Sequence, residues 1–72
     1  MEDRKITNKD FEFGRRLQRA RKKAGLTQEK LADATRLSTT FIGLVETGKR
    51  RTSIKTLQKI ATALKINIKD LF

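Results

Sequence analysis

The sequence has no cysteine, histidine, proline, tryptophan or tyrosine. Without cysteine there is no disulfide, no thiolate zinc site and no thiol nucleophile. Without histidine the commonest metal ligand and the usual acid–base group at neutral pH are missing too. No metal and no cofactor are therefore expected. Acidic residues are scarce: 8 Asp and Glu stand against 18 Lys and Arg, a formal charge of +10. Long apolar runs are lacking as well. The longest, Phe41-Ile42-Gly43-Leu44-Val45, is far too short to span a bilayer. Residues 1–6 contain no apolar signal region, so a soluble intracellular chain without membrane association is expected. A chain of 72 residues forms one domain with a thin core that buries roughly 60% of the unfolded surface. Such a chain hardly encloses a catalytic pocket, and no two acids are spaced to converge on a cleft. An enzyme is not expected.

What is abundant is positive charge on a foldable pattern. A pI near 10.8 points to a polyanionic partner. Residues 1–9 show no periodicity and read as a flexible arm, with the domain over residues 10–72. From Asp10 the spacing is helical. With Arg15 at zero, Phe13, Leu17, Ala20 and Ala24 fall between roughly 140° and 200°, while Arg15, Arg16, Arg19, Lys22 and Lys23 span roughly 340° through 100°. Gly25 suits a left-handed helix end. Thr27 caps a second helix, Gln28 to Thr35, with Leu31 and Ala32 inward. Ser38 caps a third, Thr39 to Thr47, ended by Gly48. Ser53 caps a fourth whose apolar set is Ile54, Leu57, Ile60, Ala61 and Leu64. Asn67 caps a last short helix with Ile68, Leu71 and Phe72. The expected fold is all-α with five helices.

Residues 27–47, two short helices and a tight turn, have the layout of a helix-turn-helix. The stretch Leu26-Thr27-Gln28-Glu29-Lys30-Leu31-Ala32-Asp33, then Leu37-Ser38, then Phe41 to Arg50 resembles the XRE family of phage-repressor-like DNA-binding domains. Arg21 upstream, Leu57-x-x-Ile60-Ala61-x-Ala63-Leu64 and Asp70-Leu71-Phe72 extend the match to roughly residues 11–72. Several spaced elements agree rather than one short string. Within that family the small single domain resembles the controller proteins of restriction–modification systems. The resemblance implies a double-stranded DNA partner, a bacterial or phage cytoplasmic setting at the nucleoid, and a recognition helix over residues 39–47.

On that helix the resemblance places base contacts at Thr39, Thr40 and Leu44, and a phosphate contact at Thr47. A solvated helix face is the plainer alternative for the threonines. Gln28 matches the family position where the second helix meets a phosphate. Lys49, Arg50 and Arg51 follow as backbone clamps. Between Thr39 and Thr47 the only charge is Glu46, so the bidentate Arg–guanine contact is unavailable there. A site read partly through A·T-rich sequence and shape is expected. Arg4, Lys5 and Lys9 in the arm stay open between groove contacts and a free tail. The basic face of the first helix reads as a solvated face.

The resemblance also pairs Arg21 with Glu46 as a structural ion pair between the first and third helices. Arg36 stands in the turn where the family usually has Gly; it either carries left-handed strain or reaches a phosphate. A short recognition helix reads few base pairs, so a homodimer on a pseudo-palindrome is expected. Ile66, Ile68, Leu71 and Phe72 are its candidate interface, against the alternative that all four cap the core. No small-molecule effector is evident. A basic RNA-binding module and a protein-interaction domain on the same fold are the other function classes.

Overall fold

Each helix opens on a hydroxyl and closes on a left-handed residue. The computed structural model describes residues 7–72, all-α among those residues, in the order α1 (Asn8–Lys23), α2 (Gln28–Thr35), α3 (Thr39–Glu46), α4 (Ile54–Leu64) and a 3₁₀ turn (Ile68–Leu71). Side-chain oxygens of Thr27, Ser38 and Ser53 accept the backbone N–H three residues on, at 3.0, 2.9 and 3.1 Å. These bonds satisfy donors that a helix start leaves orphaned. At the other ends the left-handed residues are Gly25, Arg36, Gly48 and Lys65. The N–H that follows each of them closes a six-residue loop, as in Leu26 N to Arg21 O at 3.1 Å and Leu37 N to Ala32 O at 2.9 Å. This geometry turns the chain sharply and returns Leu26, Leu37 and Ile66 toward the core.

Two expectations about element boundaries are corrected here. Among the described residues there are four α-helices, not five: the last segment is a 3₁₀ turn, because four residues are too few to repay α-helix nucleation. The arm expected over residues 1–9 gives way to α1 at Asn8. Thr7 and Asp10 form a reciprocal cap, with Thr7 N–H donating to Asp10 Oδ2 at 2.8 Å and Asp10 N–H to Thr7 Oγ1 at 3.4 Å. Lys9 therefore sits in the first turn of a helix, whereas Arg4 and Lys5 lie outside the described residues.

α1 packs on α3, α2 packs on α3 and α4, and the 3₁₀ turn closes against α1 and α4. Leu17, Leu31, Ile42, Ile60 and Leu71 are completely buried where these elements meet. Leu71 is thus a core residue of the single chain and cannot belong to a dimer interface. Ile54, read with the inward set of α4, is the first residue of that helix and is 60% exposed. α1 and α3 approach each other tightly at Gly14, whose Cα faces the backbone of α3. A Cβ there would strike the Glu46 carbonyl and lie 2.6 Å from the Val45 oxygen.

Substituting Gly14→Ala should therefore destabilise by about 1–3 kcal/mol in urea unfolding, against the gain of about 1 kcal/mol that helix propensity alone would give. Stabilisation would show that α1 and α3 can spread. Arg36, at φ 59° and ψ 35°, holds the left-handed conformation with a Cβ. Arg36→Gly should stabilise by about 1 kcal/mol, and Lys65→Gly in the same sense, read from the same unfolding curves.

Candidate nucleic-acid interface

The helix-turn-helix unit is oriented by one buried carboxylate. Glu46 on α3 is 4% exposed and Arg21 on α1 is 6% exposed. Arg21 Nε donates to Glu46 Oε2 at 2.5 Å and its Nη2 to Oε1 at 3.1 Å. The remaining guanidinium nitrogen, Nη1, donates to the Leu26 carbonyl at 2.8 Å. Gln28, first residue of α2, completes the arrangement by donating Nε2 to Glu46 Oε1 at 3.0 Å. One carboxylate thereby ties together α1, the loop after it, α2 and α3. The Arg21–Glu46 pair is the one the family resemblance implied; the Gln28 bond was not anticipated.

Gln28 lies across Gly43, whose hypothetical Cβ would be 3.8 Å from both amide heavy atoms. An alanine at position 43 would thus meet the Gln28 amide in ordinary van der Waals contact. Thr39 and Thr40 are exposed on the first turn of α3, Leu44 is half-buried one turn on, and Ile42, Val45 and Glu46 face the core. Thr47 is exposed, yet its hydroxyl donates back to the Gly43 and Leu44 carbonyls at 3.0 and 3.2 Å. In this rotamer it has no proton to offer a phosphate.

The connector after α3 divides its three cations. Lys49 is exposed. The Arg50 guanidinium carbon stands 5.4 Å from the centre of the Phe41 ring, a cation–π contact that restrains the side chain beside α3. Arg51 turns the other way and meets Asp10 at 3.2 Å, linking the connector to the start of α1. The Thr7 backbone N–H, and next the Arg51 guanidinium, hold the Asp10 carboxyl below its ordinary value of 3.8. Because the folded value is the lower one, this carboxylate supports the fold above about pH 4 and the support is lost as acidification passes through the depressed value. The expected arm included Thr7 and so missed this cap, which the Thr-x-x-Asp pattern could have signalled; no local pattern signals the pairing with Arg51 across the fold.

The helix-turn-helix family description matches residues 17–71. The chain belongs to that family. Two control proteins are similar over most of their length: C.MunI of a Mycoplasma species, 39% identical over 61 residues, spanning 83% of this chain and 82% of that protein, and C.BamHI of Bacillus amyloliquefaciens, 38% identical over 60 residues, spanning 82% and 74%. The crystal structure of the restriction–modification controller protein C.AhdI from Aeromonas hydrophila superposes with a TM-score of 0.89 at 39% identity, over 92% of this chain and 100% of that one. The resemblance to XRE-type and controller proteins drawn from the sequence therefore stands.

In this helix-turn-helix, Thr39, Thr40, Lys49 and Arg50 are brought to the exposed side and end of α3, with Gln28 beside them. Arg51 leaves the group for Asp10. Of the four residues expected at a dimer contact, Leu71 is in the core and Ile66 and Ile68 pack partly against it. Phe72 alone is broadly exposed, at 62%, its ring 5.6 Å from that of Phe13. Ile54 joins Phe72 along one groove with Thr52 and Leu57. Among the described residues no helix is long and apolar enough to cross a membrane.

Loss of the Glu46 carboxylate strands a buried guanidinium and frees Gln28. Glu46→Ala should cost about 3–5 kcal/mol in chemical denaturation, far above the ceiling of about 1 kcal/mol for an exposed pair. An unchanged melting temperature would remove the carboxylate from its organising role.

Proposed function

We propose that this chain is a sequence-specific double-stranded DNA-binding transcription regulator of the restriction–modification controller type, acting as a homodimer on a pseudo-palindromic operator. The observation that carries the reading is the arrangement around α3. A helix with no cation on its exposed side is locked by Glu46 and Gln28, while among the described residues Lys49 and Arg50 at its end have no acidic partner. Charge for phosphates and a neutral surface for base edges are separated, so positioning and base contact fall to different residues.

In this reading Thr39 and Thr40 meet base edges with hydroxyls and methyls, and Leu44 adds apolar contact at the margin. Lys49 and Arg50 hold phosphates. Gln28 retains a second amide N–H beyond the one given to Glu46, available to a phosphate at the start of α2. Thr47 contributes only if its hydroxyl leaves the helix carbonyls, and Arg51 only if it leaves Asp10. The chain has no catalytic role here, and DNA and a second copy are its partners. The dimer contact moves from the expected C-terminal cluster to the exposed pair Ile54 and Phe72, which share one groove. Two copies set recognition helices about 34 Å apart.

Selection from a random duplex library at two salt concentrations tests this. An enriched inverted repeat, A·T-leaning under Thr39 and Thr40, is the expected result. Arg50→Ala should lower the slope of log affinity against log salt by about 1 without changing the selected sequence. Thr40→Ala should instead relax the sequence. Ile54→Glu should give monomers in sedimentation and lose cooperative binding. A steep salt slope without any enriched sequence would mean phosphate binding alone and would overturn the reading.

A further inference from the structure

The first helix bears a line of cations that the proposed DNA surface does not use. Arg16, Arg19 and Lys23 run along one stripe of α1 over about 10 Å. All three are exposed. Among the described residues none of them has an ion-pair partner. Like charges at this spacing weaken a helix. They edge a groove of about 510 Å³ whose floor is apolar, made by Ala20 and Ala24 of α1 with Leu64 and Ile66 at the end of α4. Its single acid, Asp70, is turned to its own chain, where it accepts the Asn67 N–H at 3.2 Å.

The groove faces away from the recognition helix. α1 meets α3 through Gly14 and Arg21, roughly 180° around the helix from the middle of the cationic stripe. No residue lining the groove comes from α2, α3 or the connector. It therefore stays open while α3 is occupied.

We propose that this groove docks an acidic amphipathic helix of a partner protein. The small side chains of Ala20 and Ala24, one turn apart, let a helix come close. Its apolar stripe would cover Leu64 and Ile66, and its flanking carboxylates would meet Arg16, Arg19 and Lys23. A nucleic acid fits less well: the floor offers a phosphate no donor, and no aromatic residue lines it for base stacking. A second copy of this chain would bring a formal charge of +10 against the same cations. A regulator built this way holds DNA with α3 and a second protein with the back of α1.

The test uses the full chain and a fluorescein-labelled peptide of about 18 residues, five helical turns, with leucines on one stripe and glutamates beside them. A peptide of the same composition in scrambled order is the control. In fluorescence anisotropy at about 150 mM salt, saturable one-to-one binding is expected for the striped peptide only. Arg19→Glu with Lys23→Glu should weaken it by about tenfold. Arg19→Gln with Lys23→Gln should act in the same direction and less, while Lys55→Glu with Lys59→Glu, an equal change of charge on α4, should leave it nearly unchanged. These positions are exposed, so unchanged helical circular dichroism accompanies each variant. No binding, equal binding of the scrambled peptide, or equal loss with the α4 variant would overturn the proposal. So would displacement of the peptide by duplex DNA or RNA, which would make the groove part of a nucleic-acid surface.

Discussion

A negative charge in the thin core of a small domain has to be compensated completely, and Glu46 is that charge here. Taking a carboxylate out of water costs several kcal/mol, a large part of the stability such a domain has. The cost is met by two donors from Arg21 and one from Gln28, with the last guanidinium nitrogen satisfied by the Leu26 carbonyl. Arg21, Gln28 and Leu26 belong to different pieces of chain, so satisfying one carboxylate also fixes how those pieces meet. The close approach at Gly14 and the seat of Gln28 over Gly43 follow from it. A hydrophobic residue at position 46 could fill the volume but would not hold α2 by its first residue.

The same economy governs charge elsewhere. The exposed side of α3 carries none, the connector carries it at the helix end, and α1 carries it on the side turned from α3. Arg50 is steadied by Phe41, and Arg51 by Asp10, so neighbouring cations in the connector serve different ends. One anchors the connector to the start of α1 and the other remains beside the recognition helix. Left-handed ends at Arg36 and Lys65 show the reverse compromise, where a basic side chain is kept at a position glycine would occupy without strain.

Much of the fold was legible because its causes are local. Thr27, Ser38 and Ser53 cap helices through bonds three residues long, and Gly25 and Gly48 end them through their own backbone freedom. The Thr7–Asp10 cap obeys the same chemistry but precedes the apolar stripe of α1, so periodicity alone started that helix two residues late. Leu71 and Phe72 are adjacent apolar residues that no local rule separates. The turn sends Leu71 into the core and leaves Phe72 outside. Ile54 kept the helical period of α4, yet period identifies a face and not whether a neighbour reaches the end of it.

The sequence by itself determined an all-α chain, the positions of its caps and turns, the helix-turn-helix spacing and the excess of positive charge. Each of these depends on residues within a turn or two of one another. Tertiary structure alone decided that Gln28 joins the Arg21–Glu46 pair, that Thr47 spends its proton on its own helix and that Arg51 belongs to Asp10. It also decided that Ala20 and Ala24 form the floor of an open groove with Leu64 and Ile66. These outcomes depend on distances between segments far apart in sequence. Such distances exist only once the helices have packed.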